Sequence, residues 1–147
     1  MTVYSATDLA GSFADPDAGI FYLTATNVGR GTITITMATE RTQQNVAADG
    51  SVMVSSIAGN NGTVTIEAQQ TSDLHAFLVT WSNIKFTNQT LGNNTNFAAA
   101  AMSFRSISSG LLHTITGISP MKIPDIPYGA QGQMITWTLP AANIVTE

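Results

Sequence analysis

The sequence predicts a mainly β fold, an antiparallel β-sandwich or rolled sheet flanked by one α-helix. Apolar residues alternate with threonine without interruption from Thr32 to Met37, which places every second side chain on one face of a strand. Asp49-Gly50 is a two-residue turn signal, because glycine tolerates a positive φ. From Leu74 to Ile84 the apolar residues follow the spacing of a helix with one buried stripe. We expect residues 1–147 to form a single domain.

The first thirty residues are predicted to contain short strands separated by turns. Tyr4 to Leu9 is a candidate edge strand, and Ile20 to Thr26 is a second strand, closed by Gly29-Arg30-Gly31. Asp15-Pro16-Asp17 lies between them and is typical of a turn. Its two carboxylates could instead bind a cation or act as an acid/base pair, but aspartate beside proline occurs far more often in turns.

A long hairpin is predicted over residues 32–57, folding back at Asp49-Gly50. It is polar on both faces, so it is a poor core element and would suit a channel wall or a contact with a neighbouring subunit. Asn61-Gly62 repeats the turn signal and precedes an alternating strand that contains Val64 and Ile66.

The helix is predicted over residues 72–86, with Thr71 or Ser72 as its cap. Asp73 would lie near the positive end of the helix dipole and Lys85 near the negative end. We expect the helix to pack outside the sheet with Trp81 facing inward. The residues predicted to form its buried stripe are Leu74, Phe77, Leu78, Trp81 and Ile84.

Three further strands are predicted after the helix and a polar loop at residues 87–96. They are Ala98 to Ile107, Leu111 to Ile118 and Gln133 to Leu139. Pro120, Pro124 and Pro127 lie before the last of them, and this segment cannot belong to a central ladder because proline lacks the N–H donor.

The charge content limits the partners that the chain can bind. Only 10% of the residues are charged, compared with about 25% in ordinary soluble domains, and the formal net charge is −4. A surface made of uncharged polar residues suits a subunit that is covered by its neighbours. The five basic residues are scattered along the chain, so tight binding of nucleic acid is not expected. No stretch is long and apolar enough to span a membrane.

The sequence contains no motif that indicates catalysis, a metal site or a cofactor. His75 and His113 are isolated, and each is more simply a structural or surface residue. There is no Walker-type phosphate loop, nucleophile elbow or zinc-protease motif, and no cysteine. Trp81 and Trp137 occupy the apolar phase of their elements, so core packing is a better interpretation than a sugar-binding platform. We do not expect an enzyme.

Three consecutive motifs carry a resemblance to a known family. They are Ala48-Asp49-Gly50-Ser51-Val52, then Gly62-Thr63-Val64-Thr65-Ile66, then Gln69-Gln70-Thr71-Ser72. In this order and spacing they resemble the tail tube proteins of contractile-tailed bacteriophages, and more closely a phage structural family that was catalogued as a domain of unknown function. There are three departures. Family members often carry charged residues in the turn where this chain has Ala58-Gly59-Asn60-Asn61, Asp73 stands where the family has proline, and residues 88–100 match nothing in the pattern.

The resemblance implies a structural virion protein whose hexameric rings stack into a tube and contribute strands to a ring-shaped β-barrel. DNA would pass through the lumen without specific binding. The implied partners are further copies of the chain, the tail sheath, the baseplate or tail-initiation proteins and the tail terminator. The protein would be made in the bacterial cytoplasm and reside in the phage tail. The expected lumen and stacking residues are Thr32, Thr34, Thr36, Glu40, Gln43, Asn45, Asp49 and Gly50.

Two alternatives to a tube subunit come from other functional classes. A tail-completion or head-decoration protein would form a single ring or trimer without polymerising. A monomeric β-sandwich that binds carbohydrate would need an exposed row of aromatic residues and would stay monomeric.

Overall fold

The computed structural model of the chain describes residues 9–23 and 29–147. Within these ranges, alternating β-branched and apolar residues form nine strands, and the stretch with helical spacing forms one helix. In chain order the elements are β1 (Leu9–Asp15), β2 (Gly19–Tyr22), β3 (Arg30–Met37), β4 (Thr42–Val46), β5 (Val52–Ser56), β6 (Gly62–Gln69), α1 (Asp73–Thr90), β7 (Ala100–Ser106), β8 (Leu112–Ile118) and β9 (Met134–Thr146).

Seven strands form one antiparallel sheet in the order β2-β1-β7-β8-β9-β6-β3. The first half of β9, from Met134 to Ala141, pairs with β6, and the rest, as far as Thr146, pairs with β8. Because β6 and β8 pair with different halves of β9, the sheet curls into a half-barrel. The prediction of a mainly β fold with a rolled sheet and one flanking helix is confirmed. The described residues contain no second large sheet that would make a sandwich.

Helix α1 packs its apolar stripe on one face of this sheet. Leu74, Leu78 and Trp81 are fully buried, and Phe77 is half-buried against the same core. The Trp81 indole meets the ring of Phe13 on β1 edge-on, with ring centroids 5.2 Å apart. Burying an aromatic side chain in this way contributes about 2–3 kcal/mol to stability, so these contacts hold the helix to the sheet.

The start of the helix follows the capping chemistry in the sequence. Ser72 has an extended backbone, and its hydroxyl accepts a hydrogen bond from the His75 amide at 3.2 Å. Of the two predicted caps, Ser72 is therefore the one used. The helix ends at Thr90, four residues beyond the predicted end at residue 86.

Strands β3 to β6 form one continuous antiparallel ribbon. Strand β3 pairs with β6, and β4 pairs with β5 in a separate two-stranded sheet. Backbone hydrogen bonds link the two pairs, from Ala38 to Asn61 at 3.0 Å and from Ile57 to Arg41 at 2.8 Å. The ribbon therefore extends from residue 30 to residue 69, and its returning arm is longer than the 32–57 hairpin proposed from the sequence.

The expected turn at Asn61-Gly62 is wrong. Gly62 begins β6 and pairs directly with Met37, so the chain stays extended there. A Cβ built on Gly62 would lie 2.3 Å from the Thr36 carbonyl oxygen and 2.8 Å from a methyl carbon of Ile144. Glycine at this position therefore permits a close approach of neighbouring chain segments and does not reverse the chain.

Several strand boundaries also differ from the predictions. Strand β1, Leu9–Asp15, was not predicted, since the edge strand was placed over residues 4–9, of which 4–8 lie outside the described residues. Strand β2 ends at Tyr22, whereas the strand predicted from Ile20 continued to Thr26. Residues 24–28 lie outside the described residues. Strand β9 does not stop at Leu139 but continues through Pro140, whose carbonyl accepts a hydrogen bond from the Ser119 amide at 3.2 Å.

Candidate functional site

A lysine on the helix and an aspartate on β1 form a buried ion pair. Lys85 has 1% of its side chain exposed, and its ammonium nitrogen lies 2.9 Å from Asp15 Oδ1 and 3.0 Å from Asp17 Oδ2. It also donates to the Asn96 carbonyl at 2.7 Å. These three partners match the three donors of an ammonium group. The cluster ties the helix to the β1–β2 turn and to the loop after the helix.

Asp15 is satisfied from several directions at once. Its second oxygen accepts the Asp17 and Ala18 amides, each at 2.9 Å, so it makes the turn that the sequence predicts. The Trp81 indole N–H donates to its first oxygen at 3.3 Å. Lys85 donates to Asp17 and thereby holds the pKa of that carboxyl below its usual value. Because every group has a fixed partner, this cluster stabilises the fold and is not an acid/base pair.

The expected role of Lys85 at the negative end of the helix dipole is therefore wrong. The helix continues for five residues beyond it, and the side chain points into the fold. Sequence reasoning missed the ion pair, since Asp15 and Asp17 are about seventy residues away from Lys85 along the chain.

Both histidines have structural partners. His75 is buried on the helix, and its Nδ1 accepts a hydrogen bond from the Trp137 indole at 3.1 Å. His113 Nδ1 lies 2.9 Å from the Thr146 hydroxyl across the β8–β9 pair. Burial lowers the pKa of each imidazole below its usual 6.5. Among residues 9–23 and 29–147, no group of three histidine or carboxylate side chains could hold a metal ion.

The sheet face opposite the helix carries hydroxyl groups on three adjacent strands, and we call it the hydroxyl face. Thr34, Thr65 and Thr138 pair across β3, β6 and β9 and therefore point to the same side. Thr36 and Thr63 form a second pair. The other members of this face are Thr32, Glu67, Met134 and Thr136. Glu67 is the single charged side chain in this set, so the strand residues of this face are polar but almost free of charge.

Strands β4 and β5 form a hairpin that projects beyond the sheet, and we call residues 42–56 the distal hairpin. Every residue in it is exposed. Its turn is well defined, because Gly50 has φ +91° and the Ser51 amide donates to Asp49 Oδ1 at 2.9 Å. This hydrogen bond lowers the pKa of the Asp49 carboxyl, so the tip carries a negative charge. Asp49 is the only charged residue in the hairpin.

Apolar side chains on the distal hairpin lie open to solvent. Val46, Val52 and Val54 are 65%, 55% and 60% exposed, and Met53 is 62% exposed. Val46 pairs with Val52, and Gln44 pairs with Val54, so the three valines share one side of the hairpin. An isolated two-stranded hairpin is marginally stable in water. Its exposed valines therefore indicate a surface that another molecule covers.

A groove of about 540 Å³ lies beside the first half of β9. One wall is the proline segment, residues 120–127, and the other consists of Met134, Thr136 and Thr138. The Ser119 amide bonds to Pro140, and Gln70 Nε2 donates to the Pro127 carbonyl at 2.8 Å. These bonds hold the segment alongside β9, in the opposite direction. The side chains that the proline segment contributes to the groove include Met121, Lys122, Asp125 and Ile126.

The structure separates the predicted site residues into two groups. Thr32, Thr34 and Thr36 lie on the hydroxyl face at the edge of the sheet, whereas the residues from Glu40 to Gly50 lie along the projecting arm. Glu40, Gln43 and Asn45 are exposed there. The groove was missed, although the spacing of Pro120, Pro124 and Pro127 indicated a segment outside the ladder.

No helix among the described residues is long and apolar enough to cross a membrane.

The family described as "Bacteriophage PhiTE tail tube protein" matches residues 1–146 of the chain. No curated protein sequence matches it.

Several solved structures share the fold at low sequence identity. A chain from the sheath/tube terminator of the extracellular contractile injection system PVC, in its extended state, matches with TM-score 0.60 and 9% identity. The match covers 100% of this chain and 98% of that one. A chain of the PVC sheath–tube complex matches with TM-score 0.56 and 9% identity, covering 99% and 91%. A chain of the anti-feeding prophage baseplate, six-fold symmetrised, has TM-score 0.58 and 11% identity, covering 100% and 97%.

Proposed function

The chain belongs to the family of bacteriophage PhiTE tail tube proteins, and from this premise we propose that it is the repeating subunit of a phage tail tube. Proteins of this family are structural and are not enzymes. We propose that six copies form a ring and that the rings stack into a tube that conducts DNA during ejection. The number six agrees with the six-fold symmetry named for the anti-feeding prophage baseplate.

The observation that carries the proposal is the distal hairpin. Its three valines and Met53 are each more than half exposed. Covering apolar surface stabilises an assembly by about 25 cal/mol per Å² of area removed from water. In a stack of rings, the hairpin of each subunit reaches the next ring and covers this surface. The stacking contact therefore begins at Asp49 and Gly50.

The part of the hydroxyl face that lies on β3 and β6 is proposed to line the lumen. DNA binds proteins tightly when lysine and arginine displace the counterions of its phosphates. Of the six hydroxyl-face residues on β3 and β6, Glu67 is the only charged one, and its charge has the same sign as a phosphate. Such a wall offers no counterion release, so DNA can pass without binding. Thr32, Thr34 and Thr36 on the edge strand are the residues assigned to this wall.

The partners follow from this location in the phage tail. The two ends of the tube would contact baseplate or tail-initiation proteins and the tail terminator, and the outside would contact the sheath. Helix α1 packs on the opposite side of the sheet from the hydroxyl face, so we place it toward the outside of the tube. The protein would be made in the cytoplasm of the bacterial host before assembly.

Negative-stain electron microscopy of the purified chain at rising concentration tests this function. We expect hollow tubes or stacked rings of uniform diameter. Single rings or trimers that never polymerise would instead indicate a tail-completion or head-decoration protein. A persistent monomer, even beside tail-initiation proteins, would contradict the tube proposal and would favour a carbohydrate-binding module.

A further inference from the structure

We propose that the groove between the proline segment and β9 is the receptor for the distal hairpin of a second copy of this chain. This inference rests on the proposed function and names the surface that the hairpin contacts in the next ring. It commits to one occupant, the hairpin of an identical subunit, and the contact is head-to-tail.

The hairpin and the groove lie toward opposite ends of the same strand pair. The hairpin leaves the sheet beyond Gly62, where β6 begins. The β9 wall of the groove begins at Met134, which pairs with Gln69 at the other end of β6. Gly62 and Gln69 are about 23 Å apart along β6, since a strand rises about 3.3 Å per residue. A copy shifted along the strand direction therefore presents its hairpin to the mouth of the groove.

The lengths of the two surfaces agree. From the turn at Gly50 to Val54 the hairpin measures about 13 Å, and the groove wall from Met134 to Thr138 measures about 13 Å as well. A hairpin that enters at Met134 and lies along this wall therefore brings its tip to the inner end of the groove. The valine stripe remains nearer the mouth.

The chemistry of the two surfaces is complementary in the same orientation. Met134 is 43% exposed and Ile126 is half-buried, and both lie toward the mouth, so this part of the groove offers apolar surface to the valines. Lys122 lies three residues after Ser119, whose amide bonds to Pro140, and therefore lies toward the inner end of the groove, where the Asp49 tip arrives. Asp125 lies further along the segment toward the mouth, on the side of the uncharged arms of the hairpin.

The symmetry of the contact agrees with a tube. Two different surfaces meet, so the contact is heterologous, and a heterologous contact that does not close on itself generates an open stack. A self-complementary pairing of hairpins would instead end at a dimer. Each copy uses its hairpin at one end and its groove at the other, so copies can add along one axis without limit.

Site-directed crosslinking of the full chain tests the contact, because the natural sequence contains no cysteine. Val54→Cys combined with Met134→Cys should give covalent dimers and longer ladders with a short bismaleimide reagent under tube-forming conditions. The matched control combines Val54→Cys with Thr80→Cys on the exposed side of the helix and should give none. Tubes that form without crosslinks between residues 54 and 134 would overturn the inference while leaving the tube function intact.

A charge exchange provides the second readout. Asp49→Lys and Lys122→Asp should each raise the protein concentration needed for assembly several-fold, because each places like charges together. The double variant should recover most of that loss. Two single-variant defects that simply add would contradict the pairing. If crosslinked chains form but never close into rings, the contact stands and the hexameric tube fails, whereas monomers without crosslinks would overturn both.

Discussion

The helix–sheet core and the distal hairpin differ in how completely each is satisfied by its own chain. In the core, Trp81 and Lys85 are almost fully buried, and every polar group of the Lys85 cluster has a partner within the same chain. In the distal hairpin every residue is exposed, and the three valines and Met53 are each more than half exposed. The core is therefore covered by its own chain, whereas the apolar surface of the hairpin is not. Substitutions in the two regions should affect different measurements.

Lys85→Met should have the largest effect on the free energy of unfolding. It leaves the buried Asp15 carboxylate without its counter-ion, and breaking a buried pair in this way costs about 3–5 kcal/mol. Urea denaturation followed by tryptophan fluorescence measures the loss. The matched control is Lys122→Met at an exposed position, which should change the value by less than about 0.5 kcal/mol. Equal losses in both variants would show that the buried cluster does not stabilise the fold.

Gly50→Ala should have a smaller and local effect. Gly50 has φ +91° with open space around it, so the cost comes from backbone strain alone and amounts to about 1–2 kcal/mol. Hydrogen exchange should become faster at the Gly50 and Ser51 amides, while protection in β6 and β9 is unchanged. Gly129→Ala is the control, since its surroundings are equally open and its φ is not positive. Loss of protection throughout the sheet would contradict the separation of hairpin and core.

The histidines predict a modest dependence of stability on pH. Burial lowers the pKa of His75 in the folded state below 6.5, so the unfolded chain binds more protons as the medium becomes acidic. Stability should be complete above pH 6.5 and should fall as pH drops from 6.5 through the folded pKa. His113 contributes in the same direction. Unfolding at a series of pH values should show a flatter curve for His75→Gln, and an unchanged curve would exclude His75 as a source.

Val46→Thr combined with Val54→Thr should have the smallest effect on the monomer and a clear effect on assembly. Both side chains are at least 60% exposed, so the free energy of unfolding should change by less than about 0.5 kcal/mol. Threonine removes apolar surface from the stacking contact, so tubes should require a higher protein concentration. Electron microscopy and denaturation of the same preparation measure both quantities. Normal tubes, or a strongly destabilised monomer, would contradict the comparison.

Sequence periodicity predicted the elements whose side chains obey one local rule. The alternation in β3, the turn at Asp49-Gly50 and the helical stripe up to Trp81 each depend on neighbours within a few residues. The Lys85–Asp15 pair could not be predicted in this way, because the two residues are joined only after the helix packs on β1. The turn predicted at Asn61-Gly62 was wrong for a related reason. Glycine is needed there because β3 and Ile144, which are distant along the chain, approach its backbone closely.

The candidate site was predictable in part for the same physical reason. The hairpin could be predicted as a surface element because its two faces are polar, and such a strand pair does not fit the core of any fold. The groove beside β9 depends on how the proline segment returns across the sheet, and the Gln70–Pro127 contact that holds it joins residues 57 positions apart. Local patterns contain no information about such a return.

The pairing of β9 with β6 along its first half and with β8 along its second half also determines how the subunit responds to mechanical force. Hydrogen bonds in an antiparallel ladder lie perpendicular to the strands, so tension along the ribbon shears all the β6–β9 bonds together instead of opening them one after another. Because the same strand continues into the pairing with β8, this tension passes into the other half of the sheet without crossing a loop. A pull on the distal hairpin is therefore resisted by two ladders in series, both in the orientation that is hardest to break.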